Sequence, residues 1–199
     1  MDYHFFATVS RMKYIERWAL MRSSRRENLS EHSLEVAMIA HALCLIANVR
    51  YGRNLPAEKA AVIGLYHDVS EIITGDMPTP VKYGNDNIRT SYHEVEDNAK
   101  KRLLTKLPED LKQYYEEILM EESKDEADKY LYLLVKAADR MSAYIKCIEE
   151  RQAGNREFET ALKSTEKKLM EMAETCPEVR DYMNDFLPAY GETLDTLLG

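Results

Sequence analysis

The chain has 199 residues and a formal net charge of −8. That length suits one domain, spanning 1–199, with a core buried without disulfide staples. The acidic balance excludes a long nucleic-acid polymer as partner, because such binding draws on a broad basic face. A small phosphate ligand needs only a local cluster of cations, and Arg17, Arg22, Arg25 and Arg26 offer one. For Arg22, Arg25 and Arg26 a solvated basic loop is an equal reading.

Seven glycines and six prolines are few for this length, leaving room for long helices and making an all-α fold the first expectation. Cys44, Cys147 and Cys176 form no CxxC pair and read as small apolar core residues in a reducing compartment. The opening MDYHFFATVSRMKY has no apolar signal region, and no apolar run approaches the roughly 20 residues of a spanning helix. A cytoplasmic protein without a membrane partner is expected.

In chain order, helical periodicity dominates and no alternating strand stands out. A first helix is expected over residues 4–16, then an irregular arginine-rich stretch to Asn28. Ser30 is the predicted N-cap of a second helix reaching Arg50. Along it His32, Val36, Ile39, Leu43 and Ile46 form one stripe, so His32 points inward at the end of an apolar face. Pro56 opens a third helix, PAEKAAVIGLYHDVSEII, which stops at Gly75.

GDMPTP is too rich in breakers to be regular and reads as a loop, with Pro80 opening the next element. Helices follow over 88–107 and from Pro108 into the acidic stretch 121–128, a solvated junction. The spacing predicts a long helix over 126–152, with Leu131, Val135, Ala138, Asp139 and Ser142 on one face. Two more helices, 155–174 and 177–197, complete the chain, the last kinked or divided at Pro188.

YHDVSE carries the most chemistry. His67 and Asp68 are adjacent, and Glu71 shares their side of a helix. Three ionisable groups on one turn repel unless a divalent cation draws them together, with imidazole and carboxylate as ligands. One turn cannot enclose an ion, and the inward-facing His32 and Asp139 supply the missing ligands. A carboxylate on an apolar face is costly unless paired or bound to a cation. Taken singly, an inward histidine reads as a hydrogen-bonded core residue and Asp139 as a partner of Arg140. His4, His41 and His93 lack such context and read as structural or surface residues.

The pattern H…HD…D, met by His32, His67–Asp68 and Asp139, resembles the ligand set of the HD-domain phosphohydrolases. ERW, ENLSEHSLEVAM, YHDVSEIITGDMPTPVKY and KAADRMSAYIKCIEE together resemble the bacterial YfbR-like 5′-deoxynucleotidases over essentially the whole chain. Ala19 and Gly84 depart from that pattern away from any ligand position.

The resemblance implies a single-domain, all-α helical bundle of the HD type. It implies a metal-dependent phosphomonoesterase that turns 2′-deoxynucleoside 5′-monophosphates into deoxynucleosides and phosphate, tolerant of the base, and a homodimer. It makes Co²⁺ the favoured cofactor, while two His and two Asp also suit Mn²⁺, Fe²⁺ or Zn²⁺. Glu71 is the candidate to take a proton from water or to orient it. By resemblance Arg17 orients the phosphate, and Trp18 lies against the sugar where it excludes a 2′-hydroxyl. Asp76, Met77, Pro78 and Thr79 form the substrate loop, with Asp76 accepting from the 3′-hydroxyl. His32, Asp68 and Asp139 border the substrate as well as the metal. Two other readings stay open on the residues alone: a different phosphate ester as substrate, and a helical binding module with a structural metal.

Overall fold

A computed structural model describes residues 3–82, 85–120 and 125–199, excluding the side chains of Thr79 and Pro80. Gly84 and the first four residues of the 121–128 stretch therefore lie outside the described residues.

The chain divides into two compact units: Met1–Arg22, Arg26–Ser33 and Leu65–Glu122 form the first, and Ser23–Arg25, Leu34–Gly64 and Ser123–Gly199 the second. Both are helical, and among the described residues extended pairing is limited to one isolated bridge, Glu16 with Asn28. The expected all-α fold is thus present.

The first unit opens with α1 (Phe5–Val9) and a 3-10 turn (Ser10–Tyr14), where one helix over 4–16 was expected. Its later elements are α4 (Glu71–Thr74), α5 (Thr79–Lys82), α6 (Asp86–Leu104) and α7 (Glu109–Leu119). Phe5, Met12, Leu29, Val69, Leu103, Leu104, Leu107 and Leu119 make its core. The Phe5 ring lies 4.9 Å from that of Tyr115 and 6.5 Å from that of Tyr66. Removal of these side chains from water is the main force holding the short α1 in place, since five residues cannot hold a helix alone.

α2 (Leu29–Tyr51) gives its first turn to the first unit and the rest to the second. Its cap is Asn28, not Ser30: the Asn28 Oδ1 accepts from the N–H groups of Ser30 and Glu31, and Glu31 Oε2 accepts from the Asn28 N–H. This reciprocal pair is a capping box, and the Glu three residues on selects Asn28 over Ser30. His32, Val36, Ile39, Leu43 and Ile46 are all buried, as the stripe predicts. By length and a mean hydropathy of 1.5, α2 qualifies as a membrane span, which the sequence reading did not expect. More than half of it is buried inside the protein, the pattern of a core helix.

α3 (Ala57–Tyr66) packs on α2 at Gly64. A Cβ there would lie 2.9 Å from Ala37 Cα and 3.0 Å from its backbone nitrogen, so two backbones meet where no side chain fits. Gly64→Ala should lower stability by about 1–3 kcal/mol through overpacking. Urea unfolding measures this directly, and an unchanged midpoint would contradict the close approach.

The second unit also holds α8 (Glu126–Gln152), α9 (Glu159–Ala173), α10 (Pro177–Asp185) and α11 (Leu194–Leu198). α8 has the predicted bounds, capped by Asp125 accepting from Asp128 N–H. A 3-10 turn at Leu187–Ala189 carries Pro188 and divides the last expected helix. Cys44, Cys147 and Cys176 are buried, and none is in a disulfide among the described residues.

Buried Glu150 ties residues 23–25 to α8. It accepts from the N–H groups of Ser24 and Arg25, from Lys146 Nζ and from Asn155 Nδ2, while Lys146 also donates to the Arg25 carbonyl. Burial alone would raise its carboxyl, but these donors, Lys146 foremost, hold it at about 2. The loop is therefore fixed by its backbone, and the Arg22, Arg25 and Arg26 side chains are exposed, as in a solvated basic loop.

Candidate metal centre

α3 ends at Tyr66, one residue before the His-Asp pair, where a continuous helix through Ile73 was expected. His67 and Asp68 lie in a tight turn. Val69 N–H donates to the Tyr66 carbonyl at 3.1 Å, and Glu71 N–H to the Asp68 carbonyl at 2.9 Å, starting α4. Val69 is fully buried in the core of the first unit, so the turn is anchored where it redirects the chain. Glu71 is buried as well, one turn beyond Asp68.

His32 is fully buried in the first turn of α2, and Asp139 stands on α8. One ligand atom from each of His32, His67, Asp68 and Asp139 lies within 4.8 Å of the others. Asp68 Oδ2 is 3.0 Å from His67 Nε2 and 3.6 Å from both His32 Nε2 and Arg17 Nη1. Burial would raise the Asp68 carboxyl, but His67, His32 and Arg17 together hold it far below the usual carboxylate range.

The donor set fits one divalent ion. Ligand atoms at about 2.1 Å from a metal are about 3 Å apart at right angles and about 4 Å apart when opposed. The observed spread needs only small side-chain adjustments to close. Two imidazoles and two carboxylates suit a first-row transition ion, and four ligands leave positions for water and a phosphate oxygen.

Burial, with the Asp68 and Asp76 carboxylates beside it, pushes Glu71 up to about 9. Its Oε2 is buried with no hydrogen-bond partner among the described residues. Trp18 has φ 58°, a left-handed conformation uncommon for a bulky residue. That conformation lets its N–H donate to Asp76 Oδ2 at 3.3 Å. Burial raises the Asp76 carboxyl, and Arg17 opposes this.

The loop over 76–79, expected from the sequence to meet the substrate, follows Gly75, whose φ of 74° turns the chain out of α4. α6 holds both ends of the loop. Tyr92 Oη is 3.2 Å from Thr74 Oγ1, and Lys82 Nζ donates to Glu96 at 2.7 Å and lies over the Tyr92 ring. Met77 and Pro78 are half-buried in it, while the Thr79 side chain lies outside the described residues. The sequence reading missed Lys82, Tyr92 and Glu96, although Lys82 closes the TGDMPTPVK segment.

A helical fold that brings two histidines and two aspartates together in this way defines an HD-type phosphohydrolase. Residues 4–190 match the family model described as 5′-deoxynucleotidase YfbR-like, and the chain belongs to that family. It is 46% identical over 194 residues to a 5′-deoxynucleotidase of Erwinia tasmaniensis, covering 98% of this chain and 96% of the relative. It is 45% identical to one of Photobacterium profundum, covering 98% and 97%.

Among solved structures, an HD-domain phosphohydrolase of Listeria innocua superposes with a TM-score of 0.80 at 22% identity, covering 96% of this chain and 90% of that one. The cyanophage S-2L HD phosphohydrolase, solved with dA and one catalytic Zn²⁺, gives a TM-score of 0.64 at 18% identity, covering 92% and 95%. At those identities the likeness speaks for the fold.

Proposed function

We propose that this enzyme hydrolyses 2′-deoxynucleoside 5′-monophosphates to deoxynucleoside and phosphate, using one divalent cation held by His32, His67, Asp68 and Asp139. The carrying observation is the convergence of those four ligand atoms within 4.8 Å, with Arg17 at 3.6 Å from Asp68. Relatives named 5′-deoxynucleotidase and the dA-bound cyanophage enzyme support the substrate class. Co²⁺ is favoured by family resemblance, and Mn²⁺ fits the same donors. The matches run over nearly all of the chain, which supports reading 1–199 as one catalytic domain; a cytoplasmic location is part of the same proposal.

When bound, the ion supplies Lewis-acid chemistry, acidifying water and offsetting phosphoryl charge. Arg17 orients the phosphate through its planar, permanently charged fork. Glu71 takes the proton from the attacking water. Asp68, engaged as a ligand, would press less on Glu71, which would leave Glu71 able to act as the base. Asp76 accepts from the 3′-hydroxyl, and Trp18 blocks the space of a 2′-hydroxyl. Met77, Pro78 and Thr79 position the nucleoside.

A homodimer fits the surface of α2, where exposed Leu34, Met38, Leu45 and Val49 recur along one face.

The test is phosphate release from dAMP and AMP, with metal-free protein and with added Co²⁺, Mn²⁺ or Mg²⁺. The expected result is metal-dependent release from dAMP at a kcat/KM at least about 100-fold above AMP. Equal rates remove the role given to Trp18. No release from either nucleotide, with any of the metals, rejects this substrate class.

A further inference from the structure

Glu27 has no part in the chemistry above, yet three residues of the site converge on its carboxylate. Its side chain is 13% exposed and closes the loop that runs from Ile15 to Leu29. The loop is fixed by backbone bonds: Arg17 N–H donates to the Glu27 carbonyl at 3.0 Å, and Leu29 N–H to the Ile15 carbonyl at 2.9 Å. The next residue, Asn28, caps the helix that carries His32.

One carboxylate oxygen, Oε2, accepts from Trp18 Nε1 at 2.9 Å and lies 3.7 Å from Arg17 Nε. The other, Oε1, faces His32 Nδ1 at 3.7 Å, while His32 Nε2 is turned to Asp68. A carboxylate beside the far ring nitrogen is the usual support for a metal-binding histidine. Glu27 stands at ion-pair range from that nitrogen, 3.7 Å, and holds the indole by a direct hydrogen bond.

We propose that Glu27 is a positioning residue that sets the ring plane of Trp18 and couples it to Arg17 and His32. The inference rests on the proposed deoxynucleotidase reading. The strained Trp18 backbone fixes where the indole starts but leaves the ring to rotate about its side-chain bonds. The bond to Oε2 removes that freedom and stands the ring where the sugar lies. With Glu27 gone, the sugar face and the metal face lose a common support.

The test compares the wild type with Glu27→Gln and Glu27→Ala. Trp18 is the only tryptophan in the chain, so protein fluorescence reports this residue alone. In metal-free Glu27→Ala, acrylamide quenching should rise about twofold or more, with helical circular dichroism unchanged, as expected when a charge-assisted hydrogen bond is lost. In the same variant, the dAMP-over-AMP ratio of kcat/KM should fall about 10-fold, mainly through KM for dAMP, and Co²⁺ affinity about 10-fold. Glu27→Gln keeps an acceptor for the indole and should restore the quenching to near the wild-type value.

Unchanged quenching in folded Glu27→Ala overturns the proposal, as does a KM and nucleotide preference equal to the wild type. If Glu27→Ala fails to fold, Glu27→Gln decides through Co²⁺ affinity, because the amide still holds the indole but loses the charge facing His32; an affinity equal to the wild type then overturns the proposal. Failure of the functional reading shows differently: the wild type itself then releases no phosphate, while the quenching still tests the hold on Trp18.

Discussion

Replacing Glu71 with Gln should lower phosphate release from dAMP by at least about 100-fold, the usual contribution of a positioned general base. The amide keeps the size of the side chain and can still touch water, but it cannot take a proton. Glu71 is buried one turn beyond Asp68, and burial with the Asp68 and Asp76 carboxylates raises it to about 9 in the metal-free protein. A carboxyl raised on folding stabilises the folded state fully below its unfolded value of 4.5. That contribution is lost as pH climbs towards 9, at about 1.4 kcal/mol per pH unit. The metal-free Glu71→Gln variant should therefore lack this slope and be at least as stable as the wild type at pH 8. Steady-state kinetics and thermal melts at pH 5 and 8 check both halves. Turnover above a tenth of the wild type would remove the base role, and a variant that melts lower at pH 8 would contradict the buried, destabilised carboxylate.

The sequence made some of this site legible and hid the rest, for physical reasons. The stripes of α2 and α8 could be read because both helices bury one face, and burial imposes a helical period on residue type. His32 and Asp139 stood out there as polar groups on apolar faces. The break at His67–Asp68 could not be read that way: YHDVSE contains neither Gly nor Pro, and the turn is held by the burial of Val69. The same holds for the cap of α2, where Asn28 and Ser30 are both good caps and only the reciprocal bond from Glu31 decides. Glu27 was least visible. It lies on no periodic face, and its role arises from a loop closure that joins residues 9 and 5 positions away, Trp18 and His32.

Removing the metal should abolish phosphate release, and restoring Co²⁺ or Mn²⁺ should raise the melting temperature. An ion at about 100 times its Kd adds about 2.7 kcal/mol to the folded state. For a chain of this length that is roughly 5–10 °C. Asp139→Asn tests whether that gain comes from the four-residue centre. The substitution exchanges a charged ligand for a neutral one with nearly the same shape, so the packing of α8 is kept. Residues that merely support a ligand are worth about 10–100-fold in affinity, so loss of the ligand itself should cost at least about 100-fold. At the same Co²⁺ concentration the melting gain should then largely disappear, together with turnover. Glu71→Gln should show the opposite pairing, a full melting gain with little turnover. That contrast separates holding the ion from using it. If Asp139→Asn keeps the full melting gain, the ion is held without Asp139, and the helix α8 has no part in the metal centre.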